Sequence, residues 1–122
     1  MPRKRSGSTK SAAVNATAEE LKTLVGALTS SDEAQRREAV TNVLAREPVL
    51  CWHLADRLVD RLAGDDEAVG QKAAASLAEM GGAATGPLIL RLHKARGKAL
   101  RKRLIEVLFR AEETEKEKGT QG

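Results

Sequence analysis

The sequence predicts an all-α fold in which three helical hairpins stack as an α-solenoid. Apolar residues recur at helical spacing, and residues that start and stop helices stand between the apolar runs. Leu24 and Leu28 recur as Leu58 and Leu62, a shift of 34 residues that is typical of helical repeats. Only 2% of the residues are aromatic, and the small and unbranched residues that dominate instead favour helices over sheets.

The first predicted hairpin contains two helices, 18–29 and 32–46. Thr17 and Ser30 each stand three residues before a glutamate, which is the capping-box pattern of a helix N-terminus. Leucine, valine or alanine follows each box at intervals of three and four residues, as one buried helix face requires. Pro48 ends the second helix, because proline disfavours the helical conformation in the residue before it.

The second predicted hairpin contains the helices 48–63 and 66–80. Leucines at every fourth position mark the buried face of the first of these helices, and Gly64 is its expected exit. Asp65 is the predicted N-cap of the next helix. Gly81 and the glycine after it stop that helix.

The third predicted hairpin starts at Pro87, since proline suits the first turn of a helix. Gly97 separates its two helices, 87–96 and 98–112. The three repeats therefore cover about 17–47, 48–82 and 83–113. We expect a disordered basic tail over 1–16, which shows no helical period, and a disordered charged tail over 114–122.

Two stretches of the chain resemble the HEAT repeat family in its short bacterial-type form. They run from Asp32 to Ala39 and from Asp66 to Ala73, and they look like the family's Asp, Val, Arg and Ala run at the start of each second helix. The resemblance covers about residues 18–112. It implies a right-handed stack whose second helices line a concave, partner-binding surface. Because Gly70 replaces the arginine of the run, we expect either a local weakness of the fold or a dent in that surface.

The resemblance also implies structural roles for two arginines at matching positions, Arg36 and Arg101. In the family this arginine packs its stem between repeats and bonds to a neighbouring aspartate or carbonyl group, so Asp66 or a helix end is the expected partner. Ligand binding is the alternative role. Trp52 lies at the edge of an apolar arc, where packing between repeats competes with a role as a stacking platform.

The formal net charge of +4 conceals an uneven distribution. Residues 18–87 hold twelve acidic side chains against seven basic ones. Residues 88–110 hold eight basic side chains against Glu106 alone, and the first 17 residues hold four basic side chains and no acid. The chain is therefore an acidic body between a basic tail and a basic last hairpin.

The repeats and the charge pattern support two functions from different classes. The leading prediction is a non-enzymatic protein-protein interaction module, a small HEAT-repeat scaffold or adaptor that binds an acidic partner through a concave face that is basic at its C-terminal end. Its predicted contact residues are Glu38, Lys72, Lys98, Lys102, Arg103, Glu106 and Arg110. The alternative is a sequence-independent nucleic-acid binder. Its predicted phosphate contacts are Arg3, Lys4, Arg5, Arg91, Lys94 and Arg96.

The last hairpin has two further interpretations. A terminal repeat needs a polar outer face because nothing stacks on it, so the basic residues also fit a solvated cap. Leu90, Ile105 and Phe109 lie outside the main apolar stripes. Either the C-terminal tail covers them or they mark a contact with a partner or a second copy of the chain.

Other classes of function lack support in the sequence. Cys51 and His53 lie about 200° apart around a helix, so they cannot ligate one metal ion together. Asp56 and Asp60 share one helix face and are accompanied by Arg57 and Arg61, so we expect ion pairs along this helix instead of a pair of catalytic carboxylates. We expect no enzyme activity, since no nucleophile has a matching base and no glycine-rich phosphate loop is present. We also expect no cofactor and no membrane span, and the single cysteine indicates a cytoplasmic protein.

Overall fold

Six α-helices make up the part of the chain that the computed structural model describes, residues 17–121 with side chains to 118. This part contains no strand. The helices are α1 Ala18–Leu28, α2 Glu33–Leu44, α3 Pro48–Ala63, α4 Glu67–Met80, α5 Gly82–Lys94 and α6 Lys98–Gln121. The all-α prediction is therefore confirmed for the described residues. The predicted basic tail at 1–16 lies outside them.

The first four helices begin close to their predicted positions because side chains or a proline satisfy their N-termini. The Thr17 hydroxyl accepts a hydrogen bond from the backbone N–H of Glu20 at 3.1 Å. Asp32, and not Ser30 of the predicted capping box, is the N-cap of α2, since its carboxylate accepts from the N–H groups of Ala34 and Gln35. Asp66, and not the predicted Asp65, is the N-cap of α4, since its carboxylate accepts from the N–H of Val69 at 3.2 Å.

The fifth helix begins at Gly82 rather than at the predicted Pro87. The chain turns at Gly81, whose φ of 62° ends α4, and α5 starts at once. Pro87 thus lies inside the helix, where it lacks the N–H that would bond to the carbonyl four residues earlier. The additional turn is retained because Ala84 is fully buried in the core and because the N–H of Gly82 donates to the Glu115 carboxylate at 2.8 Å.

The sixth helix also differs from its prediction, since it extends to Gln121 instead of ending near 112. Residues 114–121, which were expected as part of a disordered tail, continue this helix. No strong helix-stopping residue precedes Gly119, and glutamate and lysine are good helix formers. The bond from Gly82 to Glu115 attaches this extension to the start of α5.

The helices contact one another in two rows. α3 contacts α1 and α5, and α4 contacts α2 and α6, while the two helices of each hairpin also pack together. Leucine, valine and alanine side chains from all six helices form one core. A buried polar bond crosses this core, from the Ser76 hydroxyl of α4 to the carbonyl oxygen of Leu28 at 2.5 Å. The even-numbered row therefore presents α4 and α6 side by side.

Candidate interaction surface

A groove with a volume of about 720 Å³ lies between α4 and α6. We call it the α4–α6 groove. It is lined by Leu62, Glu67, Gly70, Gln71, Ala74, Arg103, Glu106, Val107, Phe109 and Arg110. Apolar and charged side chains both face it, so the surface can hold an apolar group and position a charged one beside it.

Gly70 keeps the α4 side of this groove open. A Cβ atom at this position would lie 3.5 Å from the carbonyl oxygen of Arg61 and 3.7 Å from that of Leu62, which is ordinary van der Waals contact. The glycine is therefore not needed for a close approach of the two helices. The dent that the sequence predicts at Gly70 corresponds to part of the groove lining.

Arg103 bonds to the end of α3 beside Gly70. In the first hairpin, Nη1 of Arg36 donates to the carbonyl oxygen of Ser30 at 3.0 Å, just after the end of α1. In the second hairpin the matching position is Gly70, and Nη1 of Arg103 from the third hairpin donates to the carbonyl oxygen of Leu62 at 3.1 Å. Arg103 thus satisfies a carbonyl group at the end of α3. The sequence predicts Arg103 only as a contact residue for a partner and does not indicate this structural bond.

The two arginines with a predicted structural role, Arg36 and Arg101, bond to groups near the ends of helices. Arg36 is buried, and its partner is the Ser30 carbonyl instead of Asp66, whose carboxylate caps α4. Its Nε is buried without a hydrogen-bond partner among the described residues. Nη1 of Arg101 donates to the carbonyl oxygen of Leu92 at 3.0 Å, near the end of α5. Both arginines therefore bond to carbonyls at or just after the end of the first helix of their own hairpin.

Arg91 joins two hairpins through ion pairs, which corrects its prediction as a phosphate contact. Its guanidinium lies 2.9 Å from the Asp56 carboxylate and 2.8 Å from that of Asp60, both on α3. Burial alone would lower the pKa of Arg91, but the hydrogen bonds to Asp60 and Asp56 outweigh it and raise that pKa. The same contacts correct the expectation that these aspartates pair within their own helix.

The predicted contact residues of the last helix divide between two sides of α6. Arg103, Glu106 and Arg110 line the α4–α6 groove. Lys98 and Lys102 lie along a separate, shallow depression, whose lining also includes Arg101, Ile105, Glu106 and Phe109. The helical wheel thus grouped residues that the structure separates.

The two upstream contact residues lie elsewhere. Glu38 on α2 is exposed and Lys72 on α4 is half-buried, and neither lines the α4–α6 groove. On the α2 side of α4, Arg37 instead pairs with Glu79 at 3.4 Å. Of the predicted contact residues, Arg103, Glu106 and Arg110, all on α6, line the α4–α6 groove.

The alternative phosphate contacts are only partly described. Arg3, Lys4 and Arg5 lie outside the described residues. Lys94 and Arg96 are exposed near the turn between α5 and α6.

Trp52 packs against α5 over Gly86. A Cβ atom at Gly86 would lie 2.9 Å from Cη2 of the indole and closer still to Cζ3, so the ring occupies the space that a side chain would need. The ring is nevertheless 44% exposed. Beside it, Cys51 is buried and its thiol donates to the carbonyl oxygen of Val43 at 3.2 Å. Burial raises the pKa of the Cys51 thiol, which makes it a poor nucleophile at neutral pH.

Residues that the sequence reasoning missed include Glu67 and Gln71 of the groove lining and Glu115 at the start of α5. The replaced arginine at Gly70 was the one signal that pointed to the groove. No sequence pattern indicates the role of Glu115, because this residue lies in the segment that the sequence predicts as a disordered tail.

The described part of the chain holds no group of three or more histidine, cysteine, aspartate or glutamate side chains that could bind a metal ion. None of its helices is both long enough and apolar enough to cross a membrane. No family model, curated protein or solved structure matches the chain.

Proposed function

We propose that this protein is a non-enzymatic protein-protein interaction module, a small HEAT-like scaffold that binds an acidic segment of a partner protein in the α4–α6 groove. The observation that carries the proposal is the combination of an open groove at Gly70 with an exposed aromatic ring and two arginines on its α6 side. The repeat architecture suggested by the sequence and the two rows of helix contacts favours an α-solenoid, a fold that presents extended binding surfaces.

The apolar part of the proposed contact is Phe109 with the floor of the groove. Its ring is 65% exposed, more than any other large apolar side chain of the described chain. An apolar side chain of the partner that covered this ring and entered the groove above Gly70 would bury both groups. Burial of apolar area of this kind contributes about 25 cal/mol per Å² before the costs of association.

The charged part of the proposed contact is supplied by Arg110 and Arg103. Arg110 is exposed, and its side chain has no ion pair or hydrogen bond with the described residues. Arg103 uses one Nη1 bond for Leu62 and keeps further N–H donors for a carboxylate. Glu67 and Glu106 also line the groove, so the carboxylates of the partner must approach on the Arg110 side. Charge complementarity would therefore set the orientation of the partner as well as its rate of association.

A displayed library of short peptides, graded in acidic content and apolar anchors, tests this proposal. We expect enrichment of peptides that combine carboxylates with one large apolar side chain. Arg110→Glu should remove the enrichment, because it reverses the charge beside the groove. Arg57→Glu makes the same charge change at an exposed position of α3 outside the groove and should leave the enrichment intact. Equal enrichment of acidic and basic peptides by the unaltered protein would refute the proposed function.

The nucleic-acid alternative rests on Lys94, Arg96, Lys98 and Lys102, four exposed cations around the turn between α5 and α6. A salt titration against duplex and single-stranded DNA separates it from peptide binding. Binding through several phosphate contacts weakens steeply with salt and is strong at about 50 mM. Absence of DNA binding at that salt concentration would eliminate the alternative.

A further inference from the structure

The outer side of α6 carries an unpartnered apolar pair between charges of opposite sign. Ile105 and Phe109 are 42% and 65% exposed. Arg101 and Lys102 precede them by one helical turn or two, and Glu112 and Glu113 follow one turn later. On a helix these six residues share one side, within an arc of about 120°. We call this set the α6 outer stripe.

The α6 outer stripe is complementary to itself when its direction is reversed. If two copies of α6 pair antiparallel about a twofold axis at residue 107, Ile105 of one copy comes level with Phe109 of the other. Arg101 and Lys102 then come within one residue, a rise of about 1.5 Å, of Glu112 and Glu113 of the second copy. The same axis thus matches the apolar pair and both pairs of opposite charge.

We propose that the α6 outer stripe is a homodimer interface, in which two copies of the chain pair through antiparallel α6 helices. A twofold interface uses the same patch on both chains, so each favourable contact occurs twice. The three charged residues Lys102, Glu112 and Glu113 are exposed and make no side-chain bond with the described residues, so pairing breaks no existing contact of theirs. Lys98 and Lys116 come level at the two ends of the stripe, and this like-charged pair limits the affinity.

This inference goes beyond the proposed function and uses the neighbouring side of the same helix. Arg103 and Arg110 line the α4–α6 groove, and Ile105 and Lys102 line the depression on the outer side, whereas Phe109 lines both. Dimer formation would leave the two arginines of each groove accessible but would cover the ring of Phe109. A dimer and an acidic peptide would therefore compete for that ring.

Sedimentation equilibrium of the full chain over a concentration series tests the interface. We expect the unaltered protein to form a dimer. Lys102→Glu and Glu112→Lys should each weaken it about tenfold, because each reversal turns two exposed attractions of modest strength into repulsions. Ile105→Ser should also weaken it by removing an apolar contact on each side. Circular dichroism verifies that these exposed substitutions preserve the helices.

The decisive measurement is a mixture of the two charge-reversed variants. In a mixed dimer each reversed residue meets its new opposite, so Lys102→Glu and Glu112→Lys together should associate as tightly as the unaltered protein although neither does alone. Arg57→Glu, on α3, should dimerise normally. A monomer at every concentration, or a mixture that associates no better than its components, would overturn the proposal. Since Arg110→Glu alters peptide binding and not this interface, the two proposals fail separately.

Discussion

Replacement of Gly70 by alanine should stabilise the protein, although the residue is buried between two helices. The nearest atoms to the new methyl group would be the backbone carbonyl oxygens of Arg61 and Leu62, at 3.5 and 3.7 Å. Neither distance requires the helices to move. The backbone at this position is also helical, with no positive φ, so alanine meets no conformational penalty there.

The size of the gain follows from two contributions. Alanine is favoured over glycine inside a helix by about 0.8–1.0 kcal/mol. A methyl group contributes about 0.8 kcal/mol when it is fully buried, and roughly half of that in an open groove. The expected increase in the free energy of unfolding is thus about 1–1.5 kcal/mol. For a domain of this size each kcal/mol raises the midpoint of thermal unfolding by about 4–8 °C.

Two other glycines provide matched controls in urea and thermal unfolding. A Cβ atom at Gly26 has no other atom within 4 Å, so Gly26→Ala should gain only the helix-propensity contribution. Gly81 has a φ of 62°, and a Cβ atom there would lie 2.8 Å from the Glu115 carboxylate. Gly81→Ala should therefore destabilise by about 1–3 kcal/mol. The expected order of stability is Gly70→Ala, then Gly26→Ala, then the unaltered protein, then Gly81→Ala.

The result that would refute this reasoning is a Gly70→Ala variant less stable than the unaltered protein. The methyl group would then be pushing α4 away from the end of α3, and the groove would be tighter than its distances indicate. The same variant also separates stability from binding. Because the methyl group narrows the α4–α6 groove, we expect weaker peptide binding together with higher stability, as is common where function constrains a residue.

Three further predictions concern contacts outside the groove. Arg91→Met should lower the free energy of unfolding by about 1 kcal/mol, the sum of two partly exposed ion pairs, in urea at low salt, whereas Arg57→Met should change it little. The Cys51 thiol has a raised pKa in the folded protein, so the unfolded chain loses this proton first as the pH rises. The free energy of unfolding should therefore fall above about pH 9. Cys51→Ala should remove that pH dependence without affecting other titrations. Glu115→Gln keeps an acceptor for the N–H of Gly82 but loses the negative charge. We therefore expect faster amide hydrogen exchange in the last turns of α6. Exchange equal to that of the unaltered protein would show that this bond does not hold the C-terminal extension of α6 in place.

The sequence predicted the helices that have local start signals. Thr17 and Asp32 accept bonds from N–H groups two or three residues ahead, and such bonds depend only on neighbouring residues. At α2 the predicted cap, Ser30, was wrong by two residues. The starts of α5 and the end of α6 depend on a bond between residues 33 positions apart, from Gly82 to Glu115. Proline at 87 therefore gave the wrong start, because a local rule was applied where a distant contact decides.

In the candidate site, too, the sequence predicts what local spacing determines and misses what depends on contacts between distant residues. Helical spacing gives the direction of Arg103 around α6 but not what lies opposite, and opposite it lies the carbonyl of Leu62. Gly70 brings no side chain to this part of the molecule, and the bond to the end of α3 comes from the third hairpin. The groove thus combines a glycine on α4 with an arginine on α6 that lies next to it only in the folded chain. A surface formed in this way belongs to the pair of hairpins, and neither repeat read alone contains it.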